Sequence, residues 1–145
     1  MKGKEVAVRR LQFSAGHRVF GHESSCANVH GHNYVVYLHA EGEKLDGIGR
    51  VIDFGVLKDK FGTWIDNNWD HGMLLFGEDP ILKHWMLGGD FQTHKFFKCP
   101  FNPTAENMAK YLLHEVGPAL LGGTKVRLSK VVLYETENCF SEATL

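Results

Sequence analysis

Cys26-Ala27-Asn28-Val29-His30-Gly31-His32 runs straight into the strand-like segment Tyr34-Val35-Val36-Tyr37-Leu38. A strand sends successive side chains to opposite faces, so His30 and His32 share one face and Gly31 takes the other. Two imidazoles on one face are half a zinc site, with the Cys26 thiol just upstream. A polar turn that happens to contain histidine is the competing reading of these residues alone.

The residues before this stretch supply a third ligand. From Glu5 to Ala15 the chain alternates, with Val6 and Val8 on one parity and Leu11, Phe13 and Ala15 on the other, which predicts a strand with a bulge at Arg9-Arg10. Gly21 to Asn28 is polar and turn-prone, so the two strands form a long hairpin. The end of the first strand of an antiparallel pair lies beside the start of the second, which brings His17 to His30 and His32. Three histidines with a vacant fourth position are the catalytic, not the structural, arrangement of zinc.

At 145 residues the chain fits one domain, residues 1–145, able to bury a core without disulfides. The formal net charge of -1 gives no overall basic footprint, so no nucleic-acid partner is expected. Cys26, Cys99 and Cys139 are odd in number and widely spaced, which predicts reduced thiols. No secretory h-region and no membrane-length apolar run is present, so a cytoplasmic protein without a membrane partner is expected.

Asp53 can cap a helix whose Phe54, Leu57, Phe61, Trp64 and Ile65 recur at helical spacing. Asp70-His71-Gly72 closes the next polar segment, and adjacency alone does not make its aspartate and histidine a dyad. Leu74 to Pro100 reads as an irregular insertion, with a short helix from Asp79-Pro80 through Trp85-Met86 and a stop at Gly88-Gly89; His84, His94 and Cys99 read as loop or surface residues. Thr104 caps a second amphipathic helix with Ala105, Met108, Leu112 and Val116 inward, ended by Gly117-Pro118 or by Gly122-Gly123. Lys125 to Thr136 alternates as a strand with Val126, Leu128, Val132 and Tyr134 on one face. Cys139 to Ala143 is its return partner, and Cys139 reads as a packing residue. Strand, strand, helix, helix, strand, strand is an α+β sandwich with two helices on one face of a four-stranded antiparallel sheet.

Six motifs in order, F-S-A-G-H-R at Phe13 to Arg18, C-A-N-V-H-G-H at Cys26 to His32, V-I-D-F at Val51 to Phe54, D-H-G at Asp70 to Gly72, P-T-A-E-N at Pro103 to Asn107 and Y-E-T at Tyr134 to Thr136, resemble the 6-pyruvoyl tetrahydropterin synthase family. That family includes the 6-carboxytetrahydropterin synthases of bacterial queuosine biosynthesis, and the short gap between Cys26 and His30 resembles this branch. The resemblance implies the tunnelling fold, in which trimers close four-stranded sheets into a barrel and two trimers stack as a hexamer. Such closure would remove exposed sheet edges.

Carried onto this sequence, the resemblance makes His17, His30 and His32 the zinc ligands and Cys26 the catalytic base. It makes Asp70 and His71 proton-relay partners from a neighbouring subunit and Glu135 the pterin anchor, with Thr104 and Glu106 bordering the pterin pocket. The implied activity is a zinc-dependent lyase converting 7,8-dihydroneopterin triphosphate to 6-carboxy-5,6,7,8-tetrahydropterin, acetaldehyde and triphosphate. Alternatives are the pyruvoyl-forming synthase, which eliminates triphosphate from the same substrate, and a non-catalytic pterin or purine binder with a structural zinc. Arg10, Arg18 and the lysines of the insertion are candidates for holding the triphosphate. Leu75 to Phe101 looks longer than in the shortest bacterial members, which leaves the cover of the pocket mouth open.

Overall fold

The computed structural model describes residues 4–87, 89 and 93–145. Gly88, read with Gly89 as a helix stop within the Leu74 to Pro100 insertion, lies outside them. Strands β1 (Ala7–His17) and β2 (His30–Gly42) pair antiparallel without interruption, from Ala7 opposite Ala40 to His17 opposite His30. The unbroken register shows no bulge at Arg9-Arg10. Val6 and Val8 instead sit on the face away from the core, 44% and 39% exposed, while Phe13 and Ala15 point inward.

Two further strands appear where an irregular insertion was expected. β3 (Met73–Phe76) pairs in parallel with the end of β1 through Gly16 and His17, and β4 (Phe96–Cys99) pairs in parallel with β3. With β5 (Val126–Thr136) antiparallel on β2 and β6 (Cys139–Thr144) antiparallel on β5, the sheet is six-stranded and mixed, in the order β4-β3-β1-β2-β5-β6. The four-stranded antiparallel sheet read from the sequence is its β1-β2-β5-β6 part. The missed strands are short and do not alternate: Leu74 and Leu75 are both fully buried, as in a parallel strand covered on two faces. Cys99 at the end of β4 is likewise core, not surface, whereas Cys139 is exposed and is not a packing residue.

β5 changes face midway. Leu128 pairs with Ala40 and Lys130 with His39, so Ser129 is extra in the ladder; beyond it Val131 and Leu133, not Val132, share the core side with Leu38 and Val36. A two-residue period read through a bulge assigns the wrong face.

Helical backbone runs through α1 (Phe54–Leu57), a π-helical turn (Lys58–Gly62) and α2 (Thr63–Asn68), started by Asp53, whose side chain accepts from the Gly55 N–H at 2.8 Å. Leu57, Phe61 and Ile65 are buried as the spacing predicts, while Phe54 is 54% exposed. α3 (Pro80–Met86) starts at Asp79. The second long helix is α4 (Ala105–Tyr111), a π-helical turn (Leu112–Val116) and α5 (Gly117–Leu121). The widened turn just before Pro118 lets the helix pass a residue with no N–H to donate, and the stop falls at Gly122-Gly123, where Gly123 takes a positive φ of 83°. Both long helices pack on the sheet face that carries Phe13, Tyr34, Val36, Leu38, Val131 and Leu133 in one buried cluster. The histidines lie at one end of the hairpin, where His17 closes β1 and His30 opens β2. Among the described residues no helix is long and apolar enough to cross a membrane.

Candidate functional site

The hairpin register does what the sequence asks of it. His17 stands opposite His30 and Ala15 opposite His32, so three rings from two strands meet with centroids 4.6 to 5.0 Å apart. One ring nitrogen from each lies within 4.8 Å of the others. The outer nitrogens are already committed: His17 Nδ1 donates to the Pro103 carbonyl at 2.7 Å, and His30 Nδ1 to the Asn28 carbonyl at 2.6 Å. A carbonyl only accepts, so both Nε2 atoms of the neutral rings carry lone pairs. They face each other at 3.1 Å, so one cation between them would engage both lone pairs. His32 Nε2 is buried without a hydrogen bond. Burial holds His17 and His32 neutral: it lowers His17 to about 4, partly opposed by the Pro103 carbonyl and reinforced by His30 and His32, and it lowers His32 as well. Neutral imidazoles with converging lone pairs and fixed outer hydrogen bonds fit a metal ion.

Glu135 adds a carboxylate. Its Oε1 is 3.4 Å from His17 Nε2 and 3.6 Å from His32 Nε2. The residue sits where the β5–β6 register shifts between Tyr134 and Thr136, a bulge that re-aims a side chain at the end of a strand. Beneath the rings, Tyr34 is fully buried and stacks on Phe13 at 4.9 Å, and burial pushes its hydroxyl pKa far up. Cys26 lies half-buried in a short 3-10 turn (Ser25–Ala27) and does not belong to the metal-holding group, which among the described residues is His17, His30 and His32. Cys99 is a different kind of thiol, fully buried and pushed up to about 12 by that burial.

Asp70 and His71 form a pair after all. His71 takes a left-handed φ of 57°, and its Nδ1 meets Asp70 Oδ2 at 2.7 Å within one chain. The two residues straddle Ser14, whose N–H donates to Asp70 Oδ1 and whose carbonyl accepts from the His71 N–H. Burial raises the Asp70 carboxyl, but the Ser14 N–H, His71 and Lys95 outweigh it and the net shift is downward. The His71 side chain is 81% exposed and lines a cleft of about 580 Å³ with Ser14, Gly16, Asn33 and Lys95; His32 borders this cleft, while His17, His30 and Cys26 do not.

Thr104 Oγ1 accepts from the Asn107 N–H at 3.1 Å as a helix cap, and Glu106 is exposed in the first turn. Two contributions were invisible in the sequence. The Pro103 and Asn28 carbonyls that fix the rings are backbone, which no motif specifies. Asp79 was readable as a helix start, but not as the partner of Arg18, whose Nε and Nη2 both donate to its carboxylate at 2.7 Å. Arg18, offered above for the triphosphate, is thereby committed.

Comparison with known proteins carries the same pattern across the chain. It is 42% identical over 135 residues to a 6-carboxy-5,6,7,8-tetrahydropterin synthase of Rickettsia felis, covering 93% of this chain and 96% of that one, and 38% identical over 138 residues to the protein of the same name in Rickettsia bellii. Solved structures share the fold: an uncharacterized protein from Wolinella succinogenes superposes with a TM-score of 0.86 at 22% identity over 99% of both chains, and a Caenorhabditis elegans 6-pyruvoyl tetrahydropterin synthase with 0.68 at 23% over 99% of this chain and 96% of that one. Residues 6–144 match the family profile described as 6-pyruvoyl tetrahydropterin synthase, and the chain belongs to that family.

Proposed function

We propose that the chain is a zinc-dependent 6-carboxy-5,6,7,8-tetrahydropterin synthase, a lyase acting on 7,8-dihydroneopterin triphosphate and releasing acetaldehyde and triphosphate, and so serving queuosine biosynthesis. The observation that carries this reading is a three-histidine cluster that leaves out the cysteine four residues upstream of His30. A structural zinc would more often recruit Cys26 as its fourth ligand, so the non-catalytic binder is disfavoured. The relatives named for the carboxy product favour it over the pyruvoyl-forming alternative.

His17, His30 and His32 would hold the ion through the nitrogens that converge. Zinc bound there would supply Lewis acidity towards the side-chain oxygens of the substrate. Glu135, aimed at the same spot by its bulge, accepts hydrogen bonds from the guanidine-like edge of the pterin and fixes its orientation. Cys26 takes a proton from the substrate side chain as the base, a role that suits a thiol near a cation. Asp70 orients His71 by the 2.7 Å hydrogen bond, and the exposed ring passes protons at the site of a neighbouring chain. Thr104 and Glu106 border the pterin pocket at the start of α4.

A shared site requires an assembly, which we take to be a hexamer of two stacked trimers. The support is open strand edges at both sides of the hairpin sheet: β3 covers only the Gly16 and His17 end of β1, and β6 has no outer neighbour among the described residues. Strand pairing between copies would close both. Incubation of the purified zinc protein with 7,8-dihydroneopterin triphosphate tests the reading by mass analysis of the pterin and a coupled aldehyde-reduction assay. Substrate consumed without acetaldehyde moves the assignment to the pyruvoyl-forming reaction.

A further inference from the structure

The loop between the first two histidine-bearing strand ends, residues 18–29, carries Cys26, and two ties hold it. One is Asn102, whose side chain bonds both the N–H and the carbonyl of Phe20, at 3.0 and 2.7 Å. The other is Arg18. Its guanidinium forks onto Asp79 with two 2.7 Å hydrogen bonds, and its remaining Nη1 points at the Ala27 carbonyl at 3.5 Å. The next residue, Val19, donates its N–H to the carbonyl of Cys26 itself at 2.8 Å. The Asp79 side chain is fully buried and is doubly fixed, since Oδ1 also accepts from the Ile81 N–H as the cap of α3. Arg18 directly follows the metal-ligating His17. One buried carboxylate thus sets the arginine that stands between the first histidine and the turn bearing the thiol.

We propose that Asp79, acting through Arg18, is a positioning residue that sets where the Cys26 thiol stands relative to the three-histidine cluster. The excursion β3-α3-β4, which looks like an insertion in the sequence, is then part of the catalytic apparatus, because α3 presents the carboxylate that holds the thiol-bearing turn. The pair is suited to this task. A guanidinium fork on a carboxylate fixes direction as well as distance, which a lysine in the same place would not do. Phe20 lies against the same guanidinium, 5.5 Å from ring centroid to Cζ, and limits its swing. The inference rests on the reading of Cys26 as the base.

Asp79→Asn is the direct test. Asparagine keeps an oxygen to cap α3 but turns an N–H donor towards the Arg18 donors, so the fork breaks while the helix start survives. The expected result is unchanged zinc content and KM within about twofold, with kcat lower by about tenfold or more, since a base displaced by about 1 Å costs on the order of a hundredfold. Iodoacetamide labelling of Cys26 at fixed pH should change in rate while that of Cys139 does not. Arg18→Lys, which keeps the charge and loses the fork, should show the same split. The pair-removing variant Arg18→Met/Asp79→Asn guards against a buried unpaired charge unfolding the protein, because removing both charges of a buried pair is far milder than removing one. Wild-type kcat and Cys26 labelling in both Asp79 variants would overturn the proposal. So would loss of zinc or fold in proportion to activity in both, which would make the pair a structural tie. Cys26→Ala runs alongside: if it keeps its activity, the base assignment has failed and the proposal with it. If it is inactive while the Asp79 variants are normal, only the positioning role has failed. The labelling and zinc measurements need no substrate, so they remain decisive should the pterin reaction itself be misassigned.

Discussion

His17 is the most constrained side chain of the cluster, 1% exposed, hydrogen-bonded on one nitrogen and facing His30 with the other. Burial lowers its pKa to about 4 from the 6.5 of an unfolded chain. Between those values the unfolded state binds the extra proton and the folded state does not, so stability rises with pH across that window. The metal-free protein should therefore have its full stability above pH 6.5, lose it as pH falls towards 4, and show no further loss from this group below that. The shift corresponds to roughly 3 kcal/mol. Urea titrations of metal-free wild type and His17→Gln at pH 7 and pH 4.5 check it: the variant should lose much of the difference, and equal differences would show that His17 is not its source. A second residue-scale expectation concerns His30, whose Nε2 is one of the two that face each other. His30→Ala should lose bound zinc and activity together, as read by elemental analysis and product formation, and full zinc occupancy in that variant would remove His30 from the ligand set.

At the scale of elements, α4 joins two functions in one turn. Thr104 caps the helix, and the residue before it lends its carbonyl to His17. Thr104→Ala should cost about 1 kcal/mol of stability in denaturant titrations. Fraying that start also loosens the Pro103 carbonyl, so zinc affinity should fall modestly as well; a stability loss with wholly unchanged affinity would separate the cap from the metal site. The same region shows what a sequence can disclose. The hairpin and the His17–His30 pairing were legible because apolar alternation and antiparallel geometry together fix which strand ends meet. The helix starts at Asp53, Asp79 and Thr104 were legible because each needs a specific acceptor side chain. β3 and β4 were not, since Met73-Leu74-Leu75-Phe76 carries no period and its pairing with Gly16 and His17 crosses a long sequence interval. The face of Val132 was misread because the extra residue in the β5 ladder depends on its partner strand, not on its own sequence. Asp70 and His71 pair where His71 adopts a positive φ, a conformation that its identity does not announce.

For the whole molecule, the decisive question is which chain supplies which residue. Asp70 and His71 are fixed to the β1 edge at Ser14, and the His71 ring is 81% exposed, turned outward into a cleft that the same chain's Cys26 does not line. As the proton relay proposed above, this pair would serve a thiol that another copy brings to the cleft. On the proposed assembly, the open flank of β1 and the outer edge of β6, which has no neighbour among the described residues, would be the means of bringing it, because edge-to-edge pairing around a closed ring would place the end of one copy's hairpin against its neighbour. This gives a test that does not depend on seeing the assembly. Cys26→Ala and His71→Ala chains should each be inactive alone while keeping zinc. When they are mixed in equal amounts and allowed to exchange subunits, random assembly around a ring leaves roughly a quarter of the shared sites with both an intact thiol and an intact histidine. Activity should therefore reappear at about that fraction of wild type, and should fall away as either variant is made the minority. Had the site been built within one chain, every site in the mixture would still lack one of the two groups. Proven subunit exchange, followed by mass spectrometry, with no recovered activity would place Cys26 and His71 in the same chain's site and remove the need for a neighbour in catalysis.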